Sequence, residues 1–446
     1  MPVPWAAMLD LLEIFRPALT APSFANMLVI FSGWVLTSGR HAVTEALVVT
    51  DVAARRHHEA FHRFFSRGTW SPDDLGRLLF KRMLPRCVEL HVSIDDTLAH
   101  KKGPRVFGIG CHIDAVRSSK GHKVFAFGHV WVVLAVLVPL PFSKRRWALP
   151  VIFRLYRNKK ECKKANATHR KKTELAKEML GVFLGWVPAG RKVELSTDSA
   201  YCNQTVLGEK LVNLTIFGAM RPDAVLTALP KPRRGARKLR GRPARRGRRL
   251  PGLKKLAGNE KVPWRTCQAV LYGVITKVSY KTVDAQWYRV CGVSLLRVVI
   301  VRCVKGKMPF RVVFSTDPSL SPAEIIEGYN QRWNIEVCFR ELKQDMGFAD
   351  SSARKAEAVE RTAPFVALTY SALVIWFVEK GHDSAVLPIR PWYAHKTGFS
   401  FLDVLRAAQA TMRRVDILSP ERLLPDLEEN TASTNSRRHP TGRQAA

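Results

Sequence analysis

The spacing of apolar residues along the chain changes from helical to alternating near residue 87. Residues 1–86 have helical character, and Ser71 followed by Pro72 marks the start of one helix. Over residues 87–94 apolar and polar positions alternate strictly, which predicts a strand. We therefore expect an N-terminal helical domain before a strand-rich region. The arginines and lysines of the helical domain fit recognition of a DNA end, and the alternative is that this domain is a structural cap on the core.

The strand-rich region, residues 87–205, has the predicted order strand, strand, strand, helix, strand. The second strand is entered through the loop at 101–112, and the third is the apolar run 130–138. A helix of good helix formers begins at Thr173, and a further strand covers 192–196. Three meandering strands, a helix and a parallel strand describe a ribonuclease-H-like layout. The expected fold class is α/β, a mixed sheet flanked by helices.

Aspartates follow two of these strands. Asp95 and Asp96 come directly after the first predicted strand, and Asp198 comes soon after the last. Because a strand end places its side chain at the rim of the sheet, these residues suit a carboxylate metal site. Taken singly, each also fits a turn or a helix cap. Asp317, which precedes a proline, fits the start of a turn better than a metal site.

A fourth acid, Glu336, lies in one long predicted helix. The helix begins with the capping box Ser321-Pro-Ala-Glu and ends at Gly347. On an ideal helix four residues fall within about 60° of one another: Tyr329, Arg332, Glu336 and Lys343. One carboxylate among two cations and a phenol suits metal-assisted phosphoryl chemistry. A solvated surface helix with a local ion pair is the alternative.

The order Asp-Asp-Thr, then Asp, then Tyr-x2-Arg-x3-Glu-x6-Lys resembles bacterial insertion-sequence transposases with a DDE catalytic triad and the YREK signature. The resemblance covers roughly residues 20–425 and implies the ribonuclease-H-like fold. It also implies two Mg²⁺ or Mn²⁺ ions held by three catalytic acids, Asp96, Asp198 and Glu336. Asp95 is the alternative to Asp96. Three further residues would hold DNA phosphates: Tyr329, Arg332 and Lys343.

The function implied by this resemblance is cut-and-paste transposition. Strand nicking would expose a 3′-hydroxyl that forms a hairpin, which is reopened and joined to target DNA. The implied partners are double-stranded DNA, both terminal inverted repeats and target, and a second copy of the chain in a homodimer. Two alternatives stay open: a ribonuclease-H-like nuclease without strand transfer, and a basic nucleic-acid-binding protein without an active site.

The charge of the chain supports a polyanionic partner. Lys and Arg number 72 against 37 Asp and Glu, a net charge of +35. Residues 231–255 contain 13 Lys or Arg among 25 residues and no acid, which predicts an extended basic arm that binds phosphates. Its candidate contacts are Arg233, Arg234, Arg237, Lys238, Arg240, Arg242, Arg245 and Arg246. Trp264 and Trp287 are candidates for stacking on a base, although core packing is the more frequent role of tryptophan.

The remaining composition points to an intracellular protein. The eight cysteines include no C-x2-C pair, which fits free thiols in a reducing cytoplasm. The apolar runs 24–35 and 130–138 are too short to cross a bilayer, so we expect a cytoplasmic, nucleoid-associated protein without a membrane span. The predicted domains after the helical 1–86 are the core in two parts, an insertion and a C-terminal region disordered from about 430: 87–205, 206–292, 293–380 and 381–446.

Overall fold

The structure, a computed structural model, describes residues 3–103, 105–119, 121–230, 244–303, 309–387, 389, 391–393, 396 and 398–413. The chain forms two compact units. The first comprises Met1–Arg82, Ala99–Ile109 and Glu341–Ala446, and the second comprises Met83–Leu98 and Gly110–Arg340. The predicted disorder from residue 430 lies outside the described residues, and the predicted domain limits stay predictions.

Within the described residues the α-helices are α1 Val3–Leu12, α2 Ala21–Leu36, α3 Val43–Val49, α4 Glu59–Ser66, α5 Pro72–Met83, α6 Lys159–Lys164, α7 Lys172–Trp186, α8 Gln204–Leu207, α9 Leu253–Ala257, α10 Tyr288–Cys291, α11 Pro322–Asn330, α12 Trp333–Asp345, α13 Ala356–Glu379 and α14 Phe401–Arg413. Short 3-10 segments cover Glu13–Ala18, Leu84–Arg86, Gly381–Ser384 and Pro391–Tyr393. The strands are β1 Leu90–His100, β2 Gly110–Ile113, β3 Phe125–Pro139, β4 Arg146–Tyr156, β5 Val193–Thr197, β6 Leu214–Met220, β7 Arg265–Leu271, β8 Val274–Gln286, β9 Leu295–Arg302 and β10 Phe310–Ser315.

The first unit is a helical assembly in which α2 and α13 are the most buried elements. The helix α2 packs against α3, α4 and α14, so the apolar run 24–35 is a buried helix as predicted. The helix α13 packs against α1, α4 and α14. By length and composition α13 could cross a membrane, yet most of its apolar stretch is buried inside the protein, as in the core helix of a globular unit.

The second unit is built on one mixed ten-stranded sheet, with the order β2-β3-β1-β5-β6-β10-β9-β8-β7 and β4 paired to β3. The pairs β1–β5 and β5–β6 are parallel, whereas β6–β10, β10–β9, β9–β8 and β8–β7 are antiparallel. The helix α7 packs on β3 and β4, and α11 packs on β5, β6, β7 and β10. The predicted α/β class, a mixed sheet flanked by helices, is confirmed.

Three details of the predicted elements are wrong. The first strand does not end before the aspartates, because β1 begins at Leu90 and runs through Asp95 and Asp96 to His100. The predicted strand starts too early, because Val88 lies before β1 and is exposed. The strand β4, an antiparallel partner of β3, is absent from the predicted meander.

The predicted helix from Ser321 to Gly347 is two helices. The helix α11 ends at Asn330 and α12 starts at Trp333, with a turn between them. The predicted ends are confirmed, because Ser321 and Glu324 form the capping box and Gly347 has a positive φ of 59°. Since Tyr329 belongs to α11 and Glu336 to α12, the four signature positions do not share the face of one helix.

The junction between α11 and the sheet depends on Gly328. Phe217 of β6 belongs to a buried apolar cluster that includes Ile325 and Ile326 of α11. A Cβ atom placed on Gly328 would lie 2.7 Å from the Phe217 ring, so glycine allows α11 to approach β6 closely. Because Tyr329 is the next residue of α11 and Arg332 lies in the turn after that helix, this approach also helps to place these two signature residues.

Replacing Gly328 by alanine is therefore expected to lower the free energy of unfolding by about 1–3 kcal/mol, because the added methyl overpacks the contact with Phe217. Urea unfolding followed by tryptophan fluorescence measures the change. The matched control is Gly181→Ala in α7, where the added Cβ meets open space. Alanine there should leave stability unchanged or raise it by up to about 1 kcal/mol. Equal effects of the two substitutions would contradict the packing argument.

Candidate active site

Strand register places Asp95 beside Asp198. The parallel pairing of β1 with β5 matches Ile94 with Thr197. The residue after Ile94 is Asp95, and the residue after Thr197 is Asp198. Asp198 lies just beyond β5, at the strand end that the sequence predicts. Both acids therefore lie at one place on the sheet, where two parallel strands run side by side.

Arg332 joins Asp95 to Glu336. Its Nη1 lies 3.4 Å from Asp95 Oδ2 and 2.5 Å from Glu336 Oε1, so one guanidinium nitrogen donates to both carboxylates. The guanidinium also lies 5.8 Å from the centre of the Tyr329 ring. The turn between α11 and α12 thus directs Arg332 toward β1, and the structure brings Asp95, Arg332 and Glu336 into one contact chain.

Asp96 has different partners. Tyr201 donates its hydroxyl to Asp96 Oδ1 at 2.8 Å, and Lys172 at the start of α7 donates to Asp96 Oδ2 at 2.6 Å. Successive residues of a strand point to opposite faces, which explains why the neighbouring acids Asp95 and Asp96 contact different elements. Asp96 is therefore held by a lysine and a tyrosine, and Asp95 by the signature arginine.

The acids of this region affect one another electrostatically. Burial, together with the negative charges of Asp96 and Asp198, raises the pKa of Asp95 to about 7. Burial and the neighbouring Asp96 also raise the pKa of the Tyr201 phenol, so it remains a hydrogen-bond donor. Although burial opposes the charge on Arg332, the hydrogen bond to Glu336 raises its pKa, and the guanidinium stays charged. The result is a cluster of close acids with two fixed cations, Arg332 and Lys172.

The other two signature residues differ in exposure. The body of Tyr329 packs against the apolar cluster under α11, and burial raises the pKa of its phenol. Lys343 lies in the last turn of α12 and is exposed. Asp317, the rejected alternative, accepts hydrogen bonds at Oδ1 from the backbone N–H and the hydroxyl of Ser319, as expected for a turn.

Only the last part of the predicted basic arm is described. Arg233, Arg234, Arg237, Lys238, Arg240 and Arg242 lie outside the described residues. Arg245 and Arg246 are exposed, and the Arg246 guanidinium lies 5.3 Å from the Tyr288 ring centre. Two backbone hydrogen bonds join this segment to Ala228. The Gly247 N–H donates to the Ala228 carbonyl, and the Ala228 N–H donates to the Arg248 carbonyl. The arm is therefore anchored to the second unit at its C-terminal end.

Both tryptophans proposed for base stacking have protein partners. Trp264 has Lys281 Nζ at 4.7 Å and the Arg302 guanidinium at 5.8 Å from its ring centre. Trp287 makes an edge-to-face contact with Phe314, with ring centres 5.8 Å apart. Each ring is partly exposed. Stacking of a base on either ring stays a prediction.

The donor set fits a hard divalent cation, although the acids are not arranged around one. Within the described part of the chain, no three side chains of His, Cys, Asp or Glu are grouped as a metal site. Carboxylate oxygens are the ligands that Mg²⁺ and Mn²⁺ prefer, and the raised pKa of Asp95 reports uncompensated negative charge that a cation would relieve. Metal binding that included Glu336 Oε1 would require its release from Arg332.

Two residues of the site were not predicted from the sequence. Lys172 and Tyr201 both contact Asp96, yet Lys172 is 76 residues away along the chain. The available signals were weak: Tyr201 follows Asp198 by three residues, and Lys172 opens a helix. Neither signal indicates which acid the residue contacts.

Comparison with protein families decides the class of this site. Residues 14–289, more than half of the chain, match the model of the DDE superfamily endonuclease family. The chain belongs to the DDE superfamily of endonucleases. Residues 290–387 of this DDE endonuclease match a second model, described as archaeal putative transposase ISC1217. The chain therefore has the function of a DDE transposase, a DNA-binding, metal-dependent endonuclease and strand transferase.

Two further comparisons, with curated proteins and with solved structures, add little to this family assignment. No curated protein matches the DDE endonuclease. Among solved structures it is similar to a piggyBac transposase in a synaptic complex with hairpin DNA, with 11% sequence identity and a TM-score of 0.42. That match covers 95% of this chain and 77% of the piggyBac chain.

Proposed function

We propose that this transposase moves an insertion sequence by cut-and-paste, as a member of the YREK-signature group. The reaction comprises cleavage at the ends of the element, attack of the freed 3′-hydroxyl to form a hairpin, hairpin opening and joining to target DNA. One observation carries the assignment of the site. Arg332 of the signature contacts Asp95 and Glu336 together, and register places Asp198 next to Asp95.

We assign the catalytic acids as Asp95, Asp198 and Glu336. We prefer Asp95, the alternative, to Asp96, which the family resemblance implied, because the contacts of Asp96 are with Lys172 and Tyr201. The three acids would hold two Mg²⁺ or Mn²⁺ ions. Such ions, when bound, lower the pKa of an attacking hydroxyl and neutralise a leaving oxygen. The protein contributes the rigid strands that fix Asp95 and Asp198 and the helix that presents Glu336.

The cations of the chain would hold the DNA. Arg332, supported by the Tyr329 ring, takes a phosphate next to the reacting bond, and Lys343 takes another further along α12. The basic arm provides contacts without sequence preference, including Arg245 and Arg246. The helices of residues 1–86 are the candidate reader of the terminal inverted repeat.

Pairing of two element ends implies a homodimer that binds both ends and target DNA. The place of action would be the bacterial cytoplasm, at the nucleoid. The net charge of +35 supports this location because it favours a polyanion such as chromosomal DNA.

A donor plasmid with the element's terminal inverted repeats tests this function. The purified protein is expected to excise the element with Mg²⁺ or Mn²⁺, to yield hairpin ends, and to join them to a target plasmid; EDTA abolishes every step. Denaturing gels detect hairpins, and sequencing detects joined products. Cleavage without joining would instead establish a nuclease, and DNA binding without cleavage would establish a non-catalytic binding protein.

A further inference from the structure

The signature arginine contacts one carboxylate oxygen on each of two proposed metal ligands, Asp95 and Glu336. We propose that the Arg332 guanidinium and a divalent metal ion compete for Asp95 and Glu336, so that Arg332 controls how readily the enzyme loads its metal. The inference rests on the proposed function in one respect: it takes Asp95 and Glu336 as metal ligands.

The geometry shows a short contact of Arg332 with Glu336 and a longer one with Asp95. Arg332 Nη1 donates to Asp95 Oδ2 and Glu336 Oε1 at 3.4 and 2.5 Å. The Arg332 side chain is 15% exposed and that of Asp95 is 18% exposed, so this pair is shielded from water, whereas Glu336 is 46% exposed. Arg332 Nε is buried without a hydrogen-bond partner among the described residues. Arg332 is thus held by the acids and the Tyr329 ring, with one donor left to satisfy.

Competition follows from the chemistry of the oxygens. A divalent ion of the Mg²⁺ class binds carboxylate oxygen at about 2.1 Å, which leaves no room for a guanidinium nitrogen on the same lone pairs. Asp95 Oδ1 already accepts the Asp96 N–H, which leaves Oδ2 as the oxygen for a metal. When a metal takes Asp95 Oδ2 and Glu336 Oε1, Arg332 must turn away and lose both hydrogen bonds. Part of the metal's binding free energy is therefore spent on displacing Arg332.

A DNA phosphate offers the displaced arginine a new partner. Guanidinium groups bind phosphate in a planar fork, and the unpaired Nε gives Arg332 the second donor for that geometry. By thermodynamic linkage, a phosphate that draws Arg332 from the acids tightens metal binding, and a bound metal tightens phosphate binding by the same factor. Arg332 would thereby couple metal loading to the presence of DNA.

Manganese binding without DNA tests the competition between Arg332 and the metal directly. The probe is free Mn²⁺, measured by electron paramagnetic resonance, with the full chain at fixed ionic strength. Arg332→Met is expected to bind Mn²⁺ about tenfold more tightly than the parent, because removing the competitor spares the cost of breaking its hydrogen bonds. The matched control is Arg340→Met, which removes the same charge from an exposed site on α12 and should change affinity by less than about twofold.

Further variants distinguish an error in the proposed metal site from an error in the proposed competition. If Glu336→Gln binds Mn²⁺ as the parent does, the proposed metal site is wrong and the inference falls with it. If Glu336→Gln weakens binding but Arg332→Met does not tighten it, the metal site stands and the competition is refuted. Equal tightening by Arg332→Met and Arg340→Met would show a general charge effect and also refute it. If circular dichroism shows that Arg332→Met does not fold, Arg332→Lys is used instead. A smaller tightening of Mn²⁺ binding is then expected, and no tightening would refute the competition.

Discussion

Replacing Asp95 by asparagine is expected to reduce excision of the element by about a thousandfold, whereas Asp96→Asn reduces it by no more than about tenfold. Loss of one carboxylate ligand removes about 4 kcal/mol of transition-state stabilisation, which corresponds to the larger effect. Asparagine at position 96 retains an oxygen for the Tyr201 hydroxyl and loses only the ion pair with half-exposed Lys172. Single-turnover excision rates with Mg²⁺ measure both variants.

Stability gives this comparison an internal control. Burial and neighbouring acids make the Asp95 charge unfavourable, so a neutral isostere there should leave the unfolding midpoint unchanged or raise it. Asp96→Asn leaves Lys172 without its anionic partner and should lower the midpoint slightly. The inactive variant would then be the more stable one. An active Asp95→Asn enzyme beside an inactive Asp96→Asn enzyme would return the catalytic role to Asp96.

The sequence could not decide between these two aspartates for a physical reason. Alternation along a strand shows that Asp95 and Asp96 face opposite sides, but the residues before them are buried on both faces of β1, among them His91, Val92 and Ser93. Polarity therefore does not reveal which side faces Asp198. The register of β1 on β5 does, and that register joins segments about one hundred residues apart.

Local signals performed well where the structure depends on local chemistry. The Ser321 capping box, the positive φ of Gly347 and the turn at Asp317 were all predicted from a few neighbouring residues. The turn between α11 and α12 was not, because Gln331 and Arg332 include no glycine or proline to break a helix. Arg332 lies at this turn, so the contact that organises the site depends on a feature that helix propensity does not signal.

Neutralising the basic arm is expected to weaken binding to duplex DNA by about a thousandfold at low salt. The change is the replacement by glutamine of eight residues: Arg233, Arg234, Arg237, Lys238, Arg240, Arg242, Arg245 and Arg246. Each lost phosphate contact should also reduce the slope of log affinity against log salt by about 0.9, because fewer counterions are released. Fluorescence anisotropy with a duplex of unrelated sequence, measured over a salt series, gives both quantities.

A matched set of arginines shows whether the arm or the total charge is responsible. Four exposed arginines are already paired with a neighbouring carboxylate: Arg16, Arg63, Arg77 and Arg221. Replacing these four by glutamine removes as much charge as replacing Arg233, Arg234, Arg237 and Arg240. The arm set should lower both affinity and salt slope, and the paired set should change each only slightly, because a paired guanidinium releases few counterions from DNA. Equal losses from the two sets would mean that the excess charge acts through the field of the whole protein, and the arm would have no special role in holding DNA.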